Sequence, residues 1–237
     1  ALYPGRIDLG VGRAPGTDPV TASALQRGGG NDPNERLTEL LAFDRSAFPD
    51  QHPFHKIIPM PSDVRLPPIW MLGSTMAGAA IAASLGLRYA FAGHFAMQNA
   101  NAALTLYRDG FRPSHGLTTP RAILAVTVVC GEDDAHAEQL TVPLKLAIVR
   151  SRTGQRAPLA SVEEALAYQF TPDEERIAAE FLHGAIIGGA DKVRVGLEQL
   201  VADTTADELM IAAFLPDSKA RLQSYERIAH VTGLQET

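Results

Sequence analysis

Two kinds of hydrophobic pattern alternate along the chain. The first is short and uninterrupted by charge: residues 68–74 (Pro-Ile-Trp-Met-Leu-Gly-Ser), 89–94 (Tyr-Ala-Phe-Ala-Gly-His) and 122–130 (Ala-Ile-Leu-Ala-Val-Thr-Val-Val-Cys). Apolar runs of this length without polar alternation predict strands buried on both faces. The run at 122–130 is the strongest, because β-branched residues crowd it. Residues 6–12 alternate apolar and polar positions and end in glycines, and 208–214 reads as the last strand, giving five strands in all. The second pattern has helical spacing. A helix starts near Pro33, capped by Asn31 or Asp32, with Leu37, Leu40, Leu41 and Ala47 along one side. Small residues fill a helix at 76–85 that Gly86 stops, and 98–109 is a helix ended by Gly110 and Pro113. Glu132 opens a long helix with Pro143 as a candidate kink. Helices at 191–202 and 217–230 present apolar faces made by Val193, Leu197, Leu200 and Val201, and by Ala220, Leu222, Tyr225, Ile228 and Ala229.

Two stretches break the alternation. Residues 28–68 form a loop-rich excursion in which Pro53, Pro59, Pro61, Pro67 and Pro68 leave room for one short strand at Lys56, Ile57 and Ile58. Residues 155–184 form a polar helical insertion after a linker at 154–158. Its two helices start at capping boxes, Ser161 with Glu164 and Thr171 with Glu174. Gly188-Gly189 reads as a turn before the next helix. Strands alternating with helices predict an α/β fold with a parallel sheet, either a barrel or doubly wound.

Composition narrows the class of protein. The 237 residues are 46% hydrophobic and 20% charged with a net charge of −6, as in a globular chain rather than a disordered one. A single cysteine excludes an internal disulfide framework and any Cys-based zinc or iron–sulfur site. A mildly acidic chain with 6% aromatics lacks the basic footprint of a nucleic-acid binder. The least charged stretch, 66–95, is cut by prolines, glycines and Arg88, so no membrane span is expected. The N-terminal residues lack the basic and apolar regions of a signal peptide. A cytoplasmic protein is expected, and the start without Met, in mid-pattern, suggests processing or truncation.

In parallel α/β proteins chemistry gathers at the C-terminal ends of strands. Three such ends stand out. Gly10 and Gly12 let the backbone turn and approach a ligand, followed by Arg13, whose guanidinium suits a phosphate; the alternative is a surface turn with a solvated arginine. Gly73, Ser74 and Thr75 lead from a strand into a helix, an arrangement that aims backbone N–H groups and hydroxyls at an anion. A plain N-cap explains the same residues, and the two roles are compatible. His94 ends a buried strand between Gly93 and Phe95, where it either lines a pocket or bonds to backbone. His52 and His55 have a spacing that would suit a metal on a helix, which the surrounding prolines oppose. Cys130 reads as a small core residue.

Taken together, certain segments resemble the bacterial luciferase-like flavin monooxygenases. They are 1–18 (Ala-Leu-Tyr-Pro-Gly-Arg-Ile-Asp-Leu-Gly-Val-Gly-Arg-Ala-Pro-Gly-Thr-Asp), 69–74, 89–95, 106–114, 206–210 and 221–225, in the order found in that family. The resemblance implies a (β/α)8 barrel of TIM type, reduced FMN as cofactor or, in a sister branch, F420, and oxidation of a small organic substrate with O2. It implies a flavin reductase as supplier of reduced flavin and a homo-oligomer. It also implies that Arg13, Gly73, Ser74 and Thr75 meet the flavin phosphate and that His94 lines the pocket near the ring as the candidate catalytic residue. In the family the 1–12 segment leads into the fourth strand, so the single domain 1–237 is expected to be an incomplete barrel. Strands 4 to 8 are recognised in it and the first three βα units are absent. A non-enzymatic remnant that pairs its open edges with a partner chain is the alternative from another class. Both the 28–68 excursion and the 155–184 insertion are expected to shape the substrate pocket, because barrel loops set specificity.

Overall fold

The computed structural model describes residues 3–12, 19–25, 33–155 and 157–234. In chain order the elements are β1 (Leu9–Gly12), α1 (Pro19–Leu25), α2 (Pro33–Arg45), β2 (Ile69–Gly73), α3 (Met76–Leu85), β3 (Arg88–Ala92), α4 (Gly93–Ala96), a 3-10 turn (Met97–Asn99) and α5 (Ala100–Asp109). Then follow β4 (Ala122–Cys130), α6 (Asp134–Arg152), α7 (Val162–Ala167), α8 (Pro172–Phe181), β5 (Ile186–Gly188), α9 (Ala190–Thr204), β6 (Glu208–Ala212) and α10 (Ser218–Val231).

Every strand pairing is parallel. β1, β2, β3 and β4 lie side by side in chain order, with Leu9 opposite Ile69, Met71 opposite Tyr89 and Ala90 opposite Ile123. β4 has a second edge, on which Ile123 to Thr127 pair with β6, and its last three residues pair with β5. The nine residues of β4 are all buried, as their unbroken apolar run requires. Among the described residues β1 pairs only with β2 and β6 only with β4, so the sheet is open at both of these edges.

The two faces of the sheet differ. Met71, Tyr89, Phe91 and Leu124 point into a core with Ala79, Ala82 and Ala83 of α3 and Ala103, Leu104 and Tyr107 of α5. Farther along, Val126, Val128 and Cys130 meet Val193 and Leu197 of α9 and Ile228 of α10. The small residues of α3 let that helix lie close to the strands. Period-two alternation sends Gly10, Gly12, Leu72, Ala90, Ala125 and Met210 to the opposite face. There Leu72 keeps 43% and Met210 56% of its surface exposed.

Several sequence expectations change. Lys56, Ile57 and Ile58 form no strand: that stretch has no neighbour to pair with, and prolines flank it. A sixth strand, β5, exists where only a turn was expected, so the count of five is corrected. The first strand starts at Leu9 rather than residue 6. α6 runs through Pro143 without a break. Thr171 and Glu174 make a reciprocal capping box. Ser161 caps α7, but Glu164 turns away to pair with Arg150 at 2.9 Å. The expected caps Asn31 and Asp32 lie outside the described residues. No helix among the described residues is long and apolar enough to cross a membrane.

Candidate active site at the strand ends

The junction after β2 is built from Tyr89 outward. The Tyr89 hydroxyl donates to the Thr75 carbonyl at 3.2 Å and stands behind Gly73, where an added Cβ would meet it at 3.4 Å. This fixes the turn that carries Ser74 and Thr75. The Thr75 hydroxyl accepts from the Gly78 N–H at 3.3 Å, so it is the N-cap of α3. The first turn of α3 carries no acidic residue, so nothing there offsets the positive end of the helix. Beside it, Gly10 leaves room for the Leu72 side chain, which a Cβ would approach to 3.0 Å. Arg13, the sequence candidate at the end of β1, lies outside the described residues.

His94 does not end a strand. It sits one residue into the single turn of α4, which packs at the end of β3, beside the β2 junction because β2 and β3 are neighbours. Gly93 is required there, since a Cβ would come within 2.6 Å of the Ala125 carbonyl and 2.8 Å of Leu124. The His94 ring lies 4.1 Å from the Phe95 ring and 6.2 Å from that of Phe214, just past β6. Its Nδ1 is shut away from solvent and has no hydrogen-bond partner among the described residues. Burial lowers its pKa below 6.5, which keeps the imidazole neutral at pH 7. A neutral imidazole bordering a cavity can accept a proton from a bound molecule or donate one to it.

His94 borders a cavity of about 300 Å³ walled by Phe95, Phe181, Phe214 and, on α6, Leu144 and Ile148. α6 reaches this place because its first half is anchored on the strand ends, with Ala137 and Leu140 against Val129, Ala213 and Leu215. The strand-end pattern alone marked His94 and Phe95. Phe214 carries the same signal, as the residue following an apolar strand. Leu144, Ile148 and Phe181 carry none, because their place depends on how α6 and α8 fold back over the sheet. Of the two loop regions expected to shape the pocket, the insertion contributes Phe181, whereas no described residue of the 28–68 excursion lines this cavity. The excursion instead packs near the strand N-termini, where Leu66 and Pro67 border a separate cleft with Leu87 and Ser114.

His52 stacks on Phe48 at 4.4 Å and accepts from the Phe54 N–H at 3.2 Å, while His55 bonds to the Phe48 carbonyl at 3.0 Å. Both therefore hold the excursion together. Among the described residues no group of three or more His, Cys, Asp or Glu side chains is placed to hold a metal. Cys130 is buried as expected.

The family model for luciferase-like monooxygenases matches residues 1–208. A luciferase-like monooxygenase of Escherichia coli (strain K12) is 36% identical over 229 residues, which cover 95% of this chain and 67% of the relative. The uncharacterized protein YvbT of Bacillus subtilis (strain 168) is 38% identical over 235 residues, 97% of this chain and 68% of its own. Among solved structures, apo-MsnO8 superposes with a TM-score of 0.83 and 31% identity, covering 100% of this chain and 70% of that one. At the level of fold alone, similarity extends to an FMN complex of the oxygenating constituent of 3,6-diketocamphane monooxygenase from Pseudomonas putida, with TM-score 0.58, 15% identity and coverage of 92% of this chain and 68% of that one. It extends equally to an F420-dependent secondary alcohol dehydrogenase, with TM-score 0.59, 12% identity and coverage of 99% and 72%.

Proposed function

The chain belongs to the luciferase-like monooxygenase family, a family of oxidoreductases, and from that membership we propose that it serves an FMN-dependent monooxygenase. Its reaction uses reduced FMN and O2 to oxidise a small organic substrate. The observation that carries this reading is that two features follow the C-terminal ends of the paired strands β2 and β3, where Gly73 lies opposite Phe91: a Gly-Ser-Thr helix entry without acidic residues, and a neutral histidine bordering an aromatic cavity. The residues fit the cofactor. Gly73, Ser74 and Thr75, with Arg13, would hold the phosphate, and the phenylalanine-walled cavity suits a flat ring or the substrate beside it. Bound reduced FMN would supply the electrons for oxygen activation. The protein's part is to bind, orient and exclude water, and His94, a neutral imidazole bordering the cavity, is the group able to hold or move a proton there. A reductase that supplies reduced flavin, and assembly into a homo-oligomer, belong to the same proposal.

We also read the sheet as part of a (β/α)8 barrel completed by three further βα units ahead of β1. Three things support this: the two open edges, the exposure of Leu72 and Met210 on what would be the barrel interior, and the 67–68% of each relative's length that the chain spans. The mass of the native polypeptide in its source cell tests it. A value well above 25.4 kDa is expected, and a native product of 25.4 kDa would overturn it.

Titration of FMN and of F420 against the native protein tests the cofactor. FMN binding that Arg13→Ala weakens by about 1.5–3 kcal/mol, the range for a charge-assisted hydrogen bond, is expected. Tight binding of F420 with none of FMN would reverse the choice. Binding of neither would favour the non-enzymatic remnant.

A further inference from the structure

The cavity beside His94 contains a polarity that the reaction class does not specify. Three aromatic rings and the aliphatic side chains of Leu144, Ala147 and Ile148 make most of its wall. At one end of that wall lie Ser151 and Arg152, in the last turn of α6. The other two cations on this half of α6 are engaged: Lys145 pairs with Glu175 at 2.8 Å and Arg150 with Glu164 at 2.9 Å. Arg152 makes no ion pair with a described carboxylate, and it is an exposed residue of the lining. Among the described residues no acidic side chain borders the cavity. His94 is neutral at pH 7, so Arg152 is the one cation among the described residues of the lining.

We propose that this cavity selects a substrate with an apolar body and an anionic end, the body lying among Phe95, Phe181 and Phe214 and the anion meeting Arg152. The proposal rests on the strand-end cavity being the substrate site, and it names the class of substrate that site accepts. Arg152 acts as a specificity residue. A guanidinium suits a carboxylate in particular, because its fork of donors matches the two oxygens. Screening by solvent at the mouth limits the gain, so the preference is modest in size and sensitive to salt.

The test compares octanoate with 1-octanol, which share an apolar body and differ at the end group. Binding of each to the native protein is measured by calorimetric titration without flavin. Octanoate is expected to bind at least about threefold more tightly than octanol, with the advantage shrinking as salt is raised. Arg152→Gln should bring octanoate to the level of octanol and leave octanol unchanged. Phe181→Ala should weaken both. Equal binding of the two probes, a preference that survives Arg152→Gln, or binding of neither would overturn the proposal. FMN titration of the same samples separates the two readings: loss of flavin binding with the octanoate preference intact counts against the cofactor alone.

Discussion

At the scale of single residues, His94 combines a fixed position with an unusual electrostatic state. Gly93 lets α4 press on the Ala125 carbonyl, and the imidazole is thereby held half-buried beside the Phe95 and Phe214 rings. Its folded-state pKa lies below the ordinary 6.5, so the unfolded chain takes up the proton first as the solution is acidified. In the window below pH 6.5, down to the depressed value, the unfolded state binds more protons and stability falls with falling pH. His94→Gln should flatten that part of the profile. Urea midpoints of both proteins at a series of pH values between 7 and about 5 provide the check. Identical slopes would show that His94 is free to protonate in the folded protein.

At the scale of elements, one carboxylate ties strands to a helix far from the active end. The Asp207 Oδ2 accepts from the Ala122 N–H at 2.7 Å and from Arg108 on α5 at 2.9 Å, while the Asp207 N–H donates to the Ala122 carbonyl at 3.0 Å. These bonds set β6 in register beside the first residue of β4. Asp207→Ala should cost about 1.5–3 kcal/mol in urea unfolding, since it strips a charged acceptor from two donors. FMN affinity should stay unchanged, because the tie lies at the strand N-termini. A loss of flavin binding in the folded variant would refute that separation.

Elements of this kind were legible in the sequence to the extent that they depend on local pattern. The β-branched run of β4, the small-residue helix α3 and the Thr171 capping box all follow from neighbours in the chain. The strand β5 did not. Only three residues long, it exists because Ile186 and Ile187 find Val128 and Val129, far away in sequence. The isoleucines at 57 and 58 offer a similar local signal and find no such partner. At the site, Gly73, Ser74, Thr75 and His94 were marked by their strand ends. Arg152 and Phe181 gained their place only from the path of α6 and α8 over the sheet.

At the scale of the whole molecule, the sheet has one face under helices and one that is partly bare. Leu72 and Met210 are exposed there, and among the described residues nothing pairs with the outer edges of β1 and β6. Exposed apolar surface next to an open strand edge favours association between copies. Sedimentation of the 237-residue chain by itself over a range of concentrations should show it associating, and Met210→Lys should weaken that association. A chain that remains monomeric throughout would show that this face is not adhesive.

The position of β4 has a consequence for the continuity of the backbone. Everything after Gly154 is held to everything before it by pairing with β4 and by side-chain ties such as Arg150 to Glu164, whereas the covalent link passes through the exposed stretch around Gly154 itself. A protease nick at Gly154 should therefore leave two fragments that travel together in native gel filtration and part only in urea. Fragments that separate without denaturant would place the weight on the peptide bond instead. If they hold, the protein behaves as a split pair whose halves recognise each other through one buried strand.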